Sequence, residues 1–167
     1  MHKRVLVTGS EGFTGRYLMA ELEAAGHDVI GMGNHETRSS RYVKADLNDL
    51  ESLKTAVAFA NPDVVIHLAA LAFVGHGDAN ALYQVNLMGT RNLLEAVGEH
   101  SKTPECVVLA SSANVYGNQT EGVLTEETLP APANDYAVSK LAMEYMARTW
   151  SKRLPIVLTR PFNYTGV

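Results

Sequence analysis

A single cysteine, Cys106, in a chain of 167 residues excludes an internal disulfide framework. It stands in the run Cys106, Val107, Val108, Leu109 and reads as a small buried hydrophobe of a cytoplasmic protein. No apolar run approaches the roughly 18 residues of a membrane-spanning helix. The start, MHKRVLVTG, is basic, but its apolar stretch breaks at Gly9, too soon for a signal-peptide core. Positive charge is also scarce. The net charge is −4, and the small cluster of Arg38 and Arg41 makes no stripe able to neutralise phosphates, so a nucleic-acid surface is excluded. Repeats, linkers and low-complexity segments are absent, and aromatics supply only 7% of the residues. What remains, 46% hydrophobic and 19% charged, is the composition of a soluble globular domain long enough to bury a core.

Short β-branched runs alternate with longer helical stretches. Strands are expected at 4–8, 28–32, 41–45, 63–68, 106–111 and 155–159, and helices at 13–25, 49–60, 79–99 and 135–152. Several strands are continuously apolar, as they are when both faces of a sheet are covered. The rhythm predicts an α/β fold, a parallel sheet wound on both sides with strand order 3-2-1-4-5-6. Gly26 should cap the first helix, and the acids of DLNDLESL should open the second. The irregular stretch 117–134, with two prolines, predicts a long functional or mobile loop.

VTGSEGFTG follows the first strand and places Gly9, Gly12 and Gly15 three apart. Small residues there allow a tight turn, close backbone approach to a pyrophosphate and close packing of helix on strand. The helix N-terminus then turns free N–H groups and a favourable dipole toward the phosphates. This pattern predicts dinucleotide binding. The second strand of such folds usually ends in an acid that holds the ribose 2′-hydroxyl. Here Asn34 stands at that place, followed by Glu36, Arg38 and Arg41. The missing carboxylate and the nearby arginines favour NADP over NAD, with Asn34 and Arg38 at the adenosine ribose.

Tyr136 and Lys140 lie four residues apart, on one face of a helix. An apolar stripe of Val138, Leu141, Ala142, Tyr145 and Thr149 runs along the opposite side. If the stripe packs on the sheet, the pair is exposed and inert. If the pair faces a ligand, the stripe needs another partner. His67 and His76 have no companions at metal-ligand spacing, so no metal site is expected. GHGDAN, residues 75–80, reads as a flexible loop on the substrate side.

Seven segments in order make the sequence resemble the extended short-chain dehydrogenase/reductase family of nucleotide-sugar epimerases, dehydratases and reductases. They are TGSEGFTG (8–15), ADLND (45–49), HLAA (67–70), NLMGTRNLLEA (86–96), SSANVYG (111–117), YAVSK (136–140) and RPFNYTG (160–166). The resemblance implies an NAD(P)-dependent enzyme of nucleotide-sugar metabolism. It places Gly9, Gly12 and Phe13 at the pyrophosphate, and Asp46 and Leu47 at the adenine. Leu68, Ala69 and Ala70 fall along the adenosine and ribose, with Asn86 beside the cofactor. Ser112 becomes the hydroxyl that holds the reacting sugar oxygen, Tyr136 the catalytic base, Lys140 the holder of the nicotinamide ribose, and Asn163 a contact of the substrate phosphates. A lysine ammonium near a tyrosine favours phenolate and brings its pKa of about 10 toward the working range.

Dehydratases of this family carry an acid pair after the active-site hydroxyl. Ala113 and Asn114 stand there instead, which leaves reduction or epimerisation by hydride transfer at one sugar carbon. The resemblance is greatest to reductases of GDP-linked 4-keto-6-deoxy-hexoses such as GDP-4-keto-6-deoxy-mannose, with UDP-sugar 4-epimerases next. It also implies a homodimer through the helices near 79–99 and 135–152. A non-catalytic NAD(P) sensor is the rival of another class, disfavoured by the retention of Ser112, Tyr136 and Lys140 together. Relatives continue into a smaller substrate lobe. Residues 1–167 are therefore expected to be an NAD(P)-binding Rossmann domain truncated before that lobe, binding cofactor but turning over poorly.

Overall fold

The computed structural model describes residues 1–72, 78–119 and 122–164. Six parallel strands form one sheet: β1 (Arg4–Thr8), β2 (Asp28–Gly33), β3 (Tyr42–Lys44), β4 (Val64–His67), β5 (Cys106–Ala110) and β6 (Ile156–Thr159). Their order is β3-β2-β1-β4-β5-β6, as the alternation of strand and helix predicts. The register sets Val5 beside Val29 on one flank and beside Val64 on the other. The strands are each within one or two residues of expectation, shortened where their ends run out of paired neighbours.

Alternate residues of the central strands feed two layers. Leu6, Met32, Val65, Val107 and Leu109 point into the larger core, with α2 (Leu50–Ala60), α4 (Thr90–Glu99) and α5 (Asp135–Arg148) over them. Val5, Val7 and Val29 point the other way, under Leu18, Met19 and Leu22 of α1 (Phe13–Ala24). Cys106 departs from expectation in being half-buried. It starts β5 on the α1 side of the sheet, beside Val64, and α1 itself lies over β1 and β2.

Local signals hold at the helix ends. Gly26 takes φ +83° after α1, and its N–H donates to Glu23 O at 2.9 Å. Asp49 caps α2 by accepting from the N–H groups of Glu51 and Ser52. The expected single helix over 79–99 is three pieces: α3 (Ala79–Tyr83), a π-helical turn at Gln84–Gly89, and α4. Tertiary contacts impose the wider turn. The Asn86 amide reaches Leu71 and Ser139, and Gly89 packs so closely on Leu47 that a Cβ there would lie 2.8 Å from the leucine's Cβ. The last helix ends at Arg148, where the chain turns through 149–153 to enter β6.

Candidate active site

The chain order reverses between β1 and β4, so the connections that follow them diverge and leave a crevice at the carboxyl ends of the strands. The glycine turn forms its floor. Gly9 has φ +68°, and a Cβ on it would sit 2.7 Å from the Ala69 nitrogen. A Cβ on Gly15 would collide with the Gly9 carbonyl. The turn is closed by Gly12 N–H donating to Gly9 O at 3.0 Å. The N-cap of α1 is Gly12, without a side-chain cap, and Gly12, Phe13, Thr14 and Gly15 line the larger cavity, so the helix N-terminus opens on the crevice. These features fit a dinucleotide pyrophosphate.

Two cavities meet at this turn. The larger, about 700 Å³, is lined by Gly9, Gly12, Phe13, Leu68 and Ala70 on one side and by Ser112, Tyr136, Lys140 and Asn163 on the other. The second, about 440 Å³, is lined by Asn34, Asp46, Leu47, Ala69 and Ala70 together with Glu11 and His35. The fold thus gathers nearly every site residue expected from the sequence. Arg38 and Asn86 line neither cavity. Arg38 is exposed on the β2–β3 connection. Asn86 is buried, with its amide N–H groups donating to Leu71 O (2.9 Å) and Ser139 Oγ (3.0 Å) and its oxygen accepting from Leu71 N (2.8 Å). It ties the β4 connection to α5 and thereby shapes the wall between the cavities.

Helix α5 begins where Asn134 Oδ1 accepts from Ala137 N at 2.9 Å, and Tyr83 donates to Asp135 at 2.8 Å to dock that end on α3. Its inward residues are Ala137, Ser139, Lys140, Met143, Glu144 and Ala147. The outer stripe is exposed, with Val138 at 38% and Tyr145 at 57%. Of the two orientations open to this helix, the one with Lys140 inward holds. The Lys140 Nζ donates to Ala110 O at 2.7 Å, pinning the end of β5. Burial pulls its pKa down to about 8, against the opposing pull of the Glu144 carboxylate. Ser112 follows β5 and caps a single 3₁₀ turn, Ala113–Tyr116, by accepting from Asn114 N at 3.2 Å.

Two buried networks flank the site without having been singled out in the sequence. The Glu144 carboxylate takes both Nε and Nη2 of Arg160, at 2.9 and 2.6 Å, while Nη1 donates to Tyr116 Oη at 3.0 Å. The only prior signal was the i to i+4 spacing that puts Glu144 on the face of Lys140. His67 lies between two threonine hydroxyls, Nδ1 at 2.6 Å from Thr8 and Nε2 at 2.9 Å from Thr90. Thr90 gives its own proton to Asn86 O, so Nε2 carries the ring hydrogen and Nδ1 accepts from Thr8. Burial, with the Lys140 charge, lowers the His67 pKa to about 3 and keeps the ring neutral. This histidine staples β4 to β1 and α4. Residues 75–77, His76 among them, lie outside the described residues, whereas Asp78 caps α3 and Ala79 and Asn80 begin it, so that part of the expected flexible loop is helix. Among the described residues no metal-ligating cluster occurs. No helix among the described residues is long and apolar enough to cross a membrane.

The chain spans about half the length of the curated relatives it matches. It is 34% identical over 165 residues to GDP-6-deoxy-D-talose 4-dehydrogenase of Aggregatibacter actinomycetemcomitans, covering 98% of this chain and 54% of the relative. It is 36% identical over 172 residues to GDP-6-deoxy-D-mannose reductase of Pseudomonas aeruginosa, covering 99% and 54%. Among solved structures, a Burkholderia cenocepacia J2315 protein superposes with TM-score 0.90 at 52% identity, over 99% of this chain and 55% of its own. RMD of Pseudomonas aeruginosa complexed with NADPH gives 0.79 at 34%, over 98% and 55%. UDP-glucose 4-epimerase of Brucella ovis in complex with NAD gives 0.84 at 30%, over 95% and 51%. With its residues 5–167 matched by the family model, the chain belongs to the NAD dependent epimerase/dehydratase family.

Proposed function

We propose that this chain is the cofactor-binding domain of an NAD(P)-dependent oxidoreductase that acts at one carbon of a nucleotide-linked sugar, with reduction of a GDP-4-keto-6-deoxy-hexose as the favoured reaction. The observation that carries it is the convergence of Ser112, Tyr136 and a buried Lys140 on one cavity whose opposite wall is the glycine turn. The nicotinamide, when bound, supplies the hydride for the ketone carbon. Tyr136 gives the proton to the ketone oxygen, and Ser112 holds that oxygen by a hydrogen bond. Lys140 holds the nicotinamide ribose from the buried side of α5. Gly9, Gly12 and Phe13 take the pyrophosphate, Asp46, Leu47 and Leu68 to Ala70 the adenosine, and Asn163 the sugar-nucleotide phosphates. Asn34 stands at the adenosine ribose. Asn86 acts by positioning α5, and Arg38 has no wall of the cavity to act from.

Ala113 and Asn114 cannot shuttle a proton across adjacent carbons, which disfavours a dehydratase. A 4-epimerase of UDP-sugars is the second reading, supported by the Brucella ovis relative at 30% identity. The half of the relatives' length that this chain does not span is left with closing the sugar pocket. The lone thiol suits a reducing, cytoplasmic compartment. Tyr136→Phe is the test. It keeps the ring and removes the proton, so turnover of the 4-keto sugar nucleotide should fall at least roughly 100-fold while cofactor affinity stays within about threefold. Unchanged turnover would dismiss the tyrosine's role. A cellular phenotype retained by the variant would favour the NAD(P)-sensor reading.

The exposed stripe of α5 supports a homodimer. Val138 and Tyr145 stand out on α5, and Met88 is 41% exposed on the π turn that packs against that helix. Such a patch suits a second copy of itself, packing helix on helix. Sedimentation at micromolar concentration should show a dimer, and Val138→Glu should shift it to monomer. A parent chain that sediments as a monomer would remove this assembly.

A further inference from the structure

The smaller cavity, assigned above to the cofactor's adenosine, carries an unexpected charge pattern. Its charged lining residues are Glu11 and Asp46, and among the described residues neither lysine nor arginine lines it. Asp46 is engaged at the entry to α2, where its Oδ1 accepts from Asn48 N at 2.8 Å. Glu11 is exposed in the middle of the glycine turn. Arg16 donates through Nε to the Glu11 backbone oxygen at 2.9 Å, which fixes the turn.

Glu11 lines the same cavity as Gly33 and Asn34, at the end of β2. Tyr42 packs its hydroxyl against Gly33, the last residue of that strand. Its pKa is raised first by burial and further by the carboxylates of Glu11 and Glu36. The nearby cations Arg38, Arg41 and Lys44 do not line this cavity. Lys44 pairs with Glu36 at 2.7 Å and Arg41 with Glu23 at 3.4 Å.

We propose that Glu11 reads the adenosine ribose from the turn, accepting a hydrogen bond from a free 2′-hydroxyl and repelling a 2′-phosphate, so that the chain selects NAD over NADP. This assigns to the glycine turn the task that an acid at the end of the second strand usually performs and of which Asn34, an uncharged acceptor, can supply the hydrogen bond but not the repulsion. It reverses the order expected from Asn34 and Arg38. The inference rests on the cofactor-binding reading.

The test is calorimetric titration of the full chain with NAD⁺, NADP⁺, 5′-ADP and adenosine 2′,5′-bisphosphate, the last two isolating the adenosine end from any turnover. At low salt the 2′-hydroxyl ligands should bind roughly tenfold tighter than their 2′-phosphorylated counterparts, the scale of one carboxylate facing a dianion near the surface. Glu11→Gln, an exposed isostere, should shrink that ratio roughly tenfold by strengthening the phosphorylated ligands, and rising salt should compress it in the parent chain. A parent chain that prefers NADP⁺, or a ratio unmoved by Glu11→Gln, overturns the inference and leaves the cofactor reading intact. Failure of every adenosine ligand to bind overturns both.

Discussion

Lys140→Met is expected to raise the melting temperature at pH 7 while abolishing turnover. The side chain is 4% exposed, and burial outweighs the Glu144 charge in taking its pKa from 10.5 to about 8. At about 1.4 kcal/mol per unit, housing the ammonium costs on the order of 3 kcal/mol. The cost is complete below pH 8, where folded and unfolded chains both carry the proton. It shrinks between 8 and 10.5, where the unfolded chain still binds a proton that the folded chain has released. Above 10.5 it is gone. Methionine fills the same slot without a charge and gives up the charge-assisted bond to Ala110 O, worth about 1.5–3 kcal/mol. The net gain of about 1 kcal/mol corresponds to about 2–4 °C in a chain of this size. Melts at pH 7 and pH 10.5 check it, since the gap between parent and variant should close at the higher pH. A gap that ignores pH would mean the ammonium is not the source of the cost. A residue that weakens the fold and is nonetheless built into it is what a site requirement leaves behind.

The frame of this molecule was legible because its signals are local. Continuous β-branched runs such as Val5 to Val7 mark covered strands, and right-handed crossovers then permit few sheet orders. Ser112, Tyr136 and Lys140 were legible as members of short segments. Periodicity could not orient α5, however, because both of its faces carry apolar residues. Met143 and Ala147 complete an inward set that competes with Val138, Leu141 and Tyr145. Only the packing chooses, and Asn86 bonding Ser139 across 53 residues is part of what chooses it. The same reason hides the π turn, whose cause lies in Leu71, Ser139 and Leu47 and not in the segment itself. Glu144 reads as an ordinary surface acid until Arg160, 16 residues on, arrives over it from the far side of β6. Glu11 is illegible for a different reason: the glycines fix the backbone of the turn whatever side chain stands between them.

Glu144→Ala should be among the most damaging single substitutions in the chain. The carboxylate is 1% exposed and spends both oxygens on one guanidinium, whose side chain is itself only 15% exposed. That guanidinium lies 5.0 Å from the Tyr116 ring centroid and donates to its hydroxyl. The network therefore joins α5, the turn that follows Ser112, and the segment from Arg160 to Asn163, which are three walls of the larger cavity. Removing the acid strands a buried cation, an event that costs about 3–5 kcal/mol, or about 8–15 °C here. Replacing both partners, Glu144→Leu with Arg160→Leu, removes the stranded charge and should recover most of that loss. The acid limb gives a second check. Burial pushes the Glu144 carboxyl up most strongly, but hydrogen bonds from Arg160 and Ser111 and the charges of Arg160 and Arg148 together hold it below the ordinary carboxylate range. Its contribution is then complete above the unfolded carboxyl's pKa and lost only as pH falls through the lowered folded value. The stability gap between parent and Glu144→Ala should accordingly persist at pH 5 and close only in stronger acid. A double variant no more stable than Glu144→Ala would show that the arginine's charge was never the problem. The network would then serve the cavity wall through Tyr116 packing alone.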